Sequence, residues 1–235
     1  NLYYLHLYHL NACARGQYPP LFGGLWTWLG DSRNWGHFYH WNHQQTLWGV
    51  YAAGHPELAE NYLAYRRAML ENAQKDARTI YHADGAFFSD ISNLNGYNAL
   101  EPDTVRNFSV GAQIALDFIR HYRYTGDEAF WREEGLPVVC ACLRFTADLL
   151  EKGDDGLYRA RGGETAYESY LNLRESPSGI ASCRALFEAP LTLPGMIEED
   201  RARYQEILFH LPPFPTEEIE HRGQRLTVFS AGVRF

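Results

Sequence analysis

The stretch P-E-L-A-E-N-Y-L-A-Y-R-R-A-M-L-E-N-A-Q-K-D-A-R-T-I-Y, residues 56–81, decides the fold class. Its apolar positions are Leu58, Tyr62, Tyr65, Met69, Ala73, Ala77 and Ile80. They recur every three or four residues, which draws one apolar stripe along a helix. Pro56 is a good first helical residue, and Gly85 follows as a stop. The same period appears in 104–125, at Val110, Ile114, Phe118 and Tyr122, closed by Gly126–Asp127. Further helices are expected over 2–14, 37–53, 127–152 (interrupted near Gly135–Pro137), 178–189 and 197–210. No period-2 strand pattern is sustained, and Gly223–Phe235 reads as a polar segment.

Three long Gly- and Asn-rich loops separate these helices: Gly16–Asn34, Ala83–Asp103 and Gly153–Pro177. Loops of that length are uncommon in a compact domain unless they work. Helix pairs recur at roughly 40 residues per unit, as in helical-hairpin arrays. Hairpins in a curved array, with long loops gathered at one end, make an α/α toroid. The expectation is one all-α catalytic domain over 1–235, truncated at both ends. The chain starts with Asn1 in what reads as the middle of a helix, so part of a site is expected outside it.

The 235 residues are 46% hydrophobic and 21% charged, a globular composition. The net charge of −8 argues against nucleic acid or an anionic membrane as partner. No apolar run approaches the roughly 20 residues of a membrane helix. Cys13, Cys140, Cys142 and Cys183 match no zinc or redox spacing and read as small structural hydrophobes; they say little about compartment.

The chemistry concentrates in W-G-H-F-Y-H-W-N-H-Q-Q-T-L-W, residues 35–48. Five of the six tryptophans (Trp26, Trp28, Trp35, Trp41 and Trp48) lie in or just before it. A buried Trp needs a partner for its N–H. Tryptophans interleaved with Asn, His and Gln suit a sugar, which has an apolar face to stack and hydroxyls to bond. Lys and Arg, which a phosphate would favour, are nearly absent there. His37, His40 and His43 are three apart, but i and i+6 diverge by about 120° on a helix, a weak metal pattern. Among loop carboxylates (Asp31, Asp84, Asp90, Asp103, Glu164, Glu168 and Glu175), Glu168 stands between Tyr167 and Tyr170. Aromatic neighbours desolvate a carboxyl and raise its pKa toward that of a proton donor.

The strings L-F-G-G-L-W-T-W, then W-G-H-F-Y-H-W-N-H-Q-Q-T-L-W, then A-G-H-P-E-L-A resemble the catalytic domain of glycoside hydrolase family 95, the inverting α-L-fucosidases. The resemblance is strongest over 20–100 and weaker over 153–210. It implies an (α/α)6 toroid, a glycan substrate and no cofactor or metal. Carried over by motif, Asn42 matches the second asparagine of the family's water-positioning pair and Gln44 its glutamine. His40 stands where the first asparagine belongs. The general acid falls at Glu168, downstream of Asp155-Gly156-Leu157, with Glu164 the alternative, because the family's P-S-x-S-P-E context is absent. Its sugar-binding loop falls at G-A-F-F-S-D, where only Asp90 fits. The base aspartate has no match before Phe235.

The resulting expectation is hydrolysis with inversion. Glu168 or Glu164 is the acid, and Asn42 and His40 hold the water. Trp28, Trp35, Trp41, His43, Gln44, Asp90 and Tyr170 contact an oligosaccharide or polysaccharide. A polysaccharide lyase using Tyr39, His43 and Asn42, and a non-catalytic glycan-binding or structural domain, are the competing readings.

Overall fold

In the computed structural model, residues 1–16, 18–19, 38–39, 44–100, 104–166 and 172–234 are described. The helices are α1 (Leu2–Cys13), α2 (Glu60–Ala68), α3 (Leu70–Tyr81), α4 (Ser109–Thr125), α5 (Glu128–Phe130), α6 (Leu136–Leu149), α7 (Pro177–Glu188) and α8 (Glu198–Phe209). The stripe of 56–81 is buried at every position but Ile80. A 3-10 turn at Pro56–Ala59 leads into α2, and Met69 separates α2 from α3.

The interruption expected near Gly135 is a π turn over Trp131–Gly135, between α5 and α6. It aims Trp131 into the core, where the ring stacks on Tyr122 at 4.9 Å and Nε1–H donates to the Pro194 carbonyl at 3.1 Å. Asp127 caps α5 by accepting from the backbone of Ala129 and Phe130. Helix α4 packs against α2, α6 and α7, and α7 against α8. Ile114, Phe118, Val139, Leu143, Leu186 and Phe187 meet in the core these helices share.

Three expectations need correction. Helix 37–53 does not form at either end: Phe38–Tyr39 is strand β1, antiparallel to β2 (Ser92–Asn93), and residues 46–54 are turns. Aromatic residues favour an extended, half-buried backbone, and Tyr39 gains a ladder partner that a helix would forgo. Helix 104–125 begins only at Ser109. The segment before Phe235 is not irregular: β6 (Thr216–His221) and β7 (Gln224–Phe229) form a hairpin, with Arg222 and Gly223 both at positive φ. Two left-handed residues are what a tight, twisted hairpin turn requires. The Ile219, Leu226, Thr227 and Val228 strand formers carried that signal. β3 (Leu150–Lys152) leads into the 153–177 loop and pairs with β4 (Tyr158–Ala160) inside it; β5 (Leu173–Glu175) closes the loop, with β8 (Val233–Arg234) beside it. They matter because they carry the carboxylates below.

Candidate active site

Glu164 sits between β4 and β5 and is held by backbone on both sides. Its N–H donates to the Leu173 carbonyl at 2.8 Å, and its carbonyl accepts from the Leu173 N–H at 2.9 Å. Arg106 fixes the turn before it, donating from Nε and Nη2 to the Gly163 carbonyl at 3.1 and 2.7 Å. The side chain therefore points inward and is 8% exposed. Oε1 accepts the Ser176 backbone N–H at 2.9 Å. Ser176 is the N-cap of α7, and its Oγ accepts from the Gly179 N–H at 2.9 Å. The carboxylate lies flat against that first turn: a Cβ on Gly179 would stand 2.1 Å from Oε2.

Burial pushes the Glu164 carboxyl up to about 7; the Ser176 hydrogen bonds oppose the rise and the neighbouring Glu175 charge adds to it. Glu175, which closes β5, is committed elsewhere. Its Oε1 accepts from Arg159 Nε at 2.6 Å, and Arg159 also grips Asp155 at 2.8 Å. Those bonds to Arg159 hold Asp155 down at about 2. Two carboxyl groups in one pocket thus have different environments, one desolvated and one ion-paired. Glu164, Glu175, Arg159, Arg174, Phe108 and Cys183 line a common cavity of about 40 Å³. Among the described residues that space suffices for a water or a hydroxyl group.

Of the residues expected to act, Glu164, Gln44 and Asp90 are described. Glu168, Tyr170, His40, Asn42, His43, Trp28, Trp35 and Trp41 lie outside the described residues, as does His37. Gln44 is 1% exposed, and its amide is bonded to protein: Nε2 donates to Gln113 Oε1 at 2.7 Å, and Oε1 accepts from Tyr62 Oη at 3.3 Å. Asp90 is also buried and accepts from Asn107 Nδ2 at 3.3 Å. Asp117 on α4 went unnoticed in the sequence. It accepts from Tyr62 Oη at 2.8 Å and Arg120 Nη1 at 2.5 Å, and burial pushes it up to about 6. Its signal was present: one acid inside the apolar run I-A-L-D-F-I. Ser176, the partner of Glu164, had no sequence signal beyond S-P at a helix start.

Among the described residues no group of three or more His, Cys, Asp and Glu is arranged to hold a metal, and no helix is long and apolar enough to cross a membrane. None of the four cysteines is joined in a disulfide.

The architecture is that of the all-α toroids built from helical hairpins. A profile of the Glycosyl hydrolase family 95 catalytic domain matches residues 2–181, and the chain belongs to that family. A kojibiose hydrolase of Flavobacterium johnsoniae is 31% identical over 122 residues, covering 51% of this chain and 18% of the relative. Alpha-L-fucosidase 2 of Arabidopsis thaliana is 27% identical over 163 residues, covering 66% and 17%. A solved structure, a putative kojibiose phosphorylase from human microbiome, superimposes with a TM-score of 0.59 at 14% identity, over 68% of this chain and 26% of that one. The chain thus spans less than a fifth of the length of these two curated relatives.

Proposed function

We propose that the whole protein cleaves a glycosidic bond with inversion, and that this chain supplies the proton donor from its 153–177 loop. The observation that carries the reading is Glu164: a buried carboxyl, raised to about 7, next to an ion-paired Glu175. At neutral pH such a group is partly protonated and gives its proton easily. In this reading Glu164 delivers its proton through one water held in the cavity beside it, which has room for one. Glu168, in the same loop, is the alternative donor.

The nucleophilic water is assigned to Asn42 and His40, opposite the donor, with a base carboxylate supplied from outside this chain. Inversion places the two carboxyl groups about 6.5–9.5 Å apart, leaving room for that water. Trp28, Trp35, Trp41, His43 and Tyr170 are assigned to the sugar. Gln44 and Asp90 are assigned to orienting neighbouring side chains, since both are buried and bonded to side chains of the protein.

Glu164→Gln and Glu168→Gln, assayed side by side, test this. The true donor loses several orders of magnitude on a poor leaving group and far less on an activated aryl glycoside. Its replacement also removes the alkaline fall in kcat near pH 7. If neither variant discriminates between leaving groups, the donor is not in this loop. The names of the relatives choose the substrates, α-L-fucosides and kojibiose, each with and without inorganic phosphate. Phosphate-dependent release of a sugar phosphate would make the reaction a phosphorolysis, with the same donor and a different nucleophile.

A further inference from the structure

Glu175 shares the Glu164 cavity, and its charge bears on the Glu164 carboxyl. Arg159 is what holds it. Arg159 stands on β4 and Glu175 on β5, with side chains 13% and 14% exposed. Arg159 Nε donates to Glu175 Oε1 at 2.6 Å. The other two nitrogens go to one partner: Nη1 and Nη2 donate to Asp155 Oδ1 and Oδ2 at 2.9 and 2.8 Å. That two-point grip fixes the plane of the guanidinium, so Nε has one direction in which to donate. Asp155 is fixed in turn by the Leu157 N–H, which donates to Oδ1 at 3.1 Å. Arg174 adds a second cation, 3.7 Å from Asp155 Oδ2.

Without a cation, two carboxyl groups sharing a cavity compete for a proton and titrate as a pair, the proton spread over both. A guanidinium does not give up its own charge, so it holds its partner as an anion while the other carboxyl takes the proton. The remaining groups around Glu164 do not choose between the two acids. Ser176 and Gly179 belong to the first turn of α7 and meet Glu164 alone. Cys183, also on α7, is pushed up to about 12 by burial and stays a neutral thiol. Arg106 donates to the backbone carbonyls of Arg161 and Gly163. Ser109 and Ala112 of α4 and Thr146 and Leu149 of α6 line the cavity and carry no charge.

We infer that Arg159 is a positioning residue for the proton: by pinning Glu175 as its ion-pair partner, it leaves Glu164 as the acid of the two that carries the transferable proton. The catalytic consequence rests on Glu164 being the donor, as proposed above; where the proton sits follows from the pairing itself.

The test is made in the whole protein with Arg159→Met, Glu175→Gln and the two combined. In Arg159→Met, Glu175 loses its cation and competes for the proton. Its kcat is expected to fall about tenfold at pH 7, the share left to Glu164 when Glu175 outcompetes it by about one pKa unit. The deficit against the parent should shrink toward about pH 5, where both carboxyls are protonated. Adding Glu175→Gln removes the competitor and should bring kcat back to within about threefold of the parent. A broken structural clamp would not be mended by a second substitution in the same clamp. A loss equal at both pH values, one that Glu175→Gln does not recover, or a kcat within about twofold of the parent throughout overturns the inference. A second readout needs no turnover: the side-chain carboxyl 13C signal of Glu164, assigned by its absence in Glu164→Gln. It should titrate in one step in the parent and in two in Arg159→Met. Two steps in the parent, or one in both, overturns the inference. This readout holds even if Glu164→Gln shows that the donor lies elsewhere, which would sink the donor assignment alone. If Arg159→Met does not fold, the parent's curve decides: one step supports the inference and two overturn it.

Discussion

Oε2 of Glu164 lies where a Cβ of Gly179 would be, 2.1 Å from that ideal position. The carboxylate and the first turn of α7 therefore occupy one space, and only glycine lets them share it.

Gly179→Ala measures that contact. Alanine would help the helix by up to about 1 kcal/mol, but overpacking a filled site costs about 1–3 kcal/mol. The expected outcome is net destabilisation in a urea unfolding curve, together with a displaced Glu164. The same change in Glu164→Ala should be neutral or stabilising, because the obstructing carboxylate is gone.

Glu164 should also tie stability to pH. Its carboxyl is raised to about 7 in the fold, against about 4.3 in an unfolded chain. The folded state then binds the extra proton, so its contribution is complete below about pH 4.3. It is lost as pH rises to about 7 and stays lost above. The amount is on the order of 3 kcal/mol. Thermal melts of the parent and Glu164→Gln from pH 5 to 8 should therefore diverge, with the variant gaining on the parent as pH rises.

Asp117 makes the opposite point about removal. Its carboxylate is buried and bonded to Tyr62 and Arg120. Asp117→Ala removes the carboxylate acceptor of Arg120 and leaves Tyr62 Oη the longer bond to Gln44 Oε1, and should cost about 3 kcal/mol in chemical denaturation. If the curve does not shift, the Tyr62–Asp117–Arg120 chain contributes nothing to the fold.

The thiols give a simple check on packing. Burial pushes Cys183 up to about 12 and Cys142 higher still. Neither forms thiolate at pH 8, the nucleophilic species. In the native protein both should resist a thiol-reactive disulfide that labels all four cysteines in urea. Native labelling of Cys142 would mean that α6 opens readily.

What sequence alone determined was the helical period. The stripe Leu58–Tyr62–Tyr65–Met69–Ala73–Ala77 could bury itself in only one way, so α2 and α3 followed from local spacing. The neutral, aromatic-rich 35–48 stretch likewise pointed to a sugar by composition, and Glu164 stood among the candidate acids because its loop was too long to be idle. Local pattern failed where a distant partner decided. Phe38–Tyr39 is strand because Ser92–Asn93 pairs with it, more than fifty residues away. Gln44 carries a motif position, yet its polar atoms are taken by Tyr62, Arg66 and Gln113 from two other helices. Nothing near Glu164 in the sequence says that it is buried; Leu173, Ser176 and Gly179 arrive only when β5 and α7 fold over it. A pKa depends on what excludes water from a group, and that exclusion is made by residues brought together from across the chain.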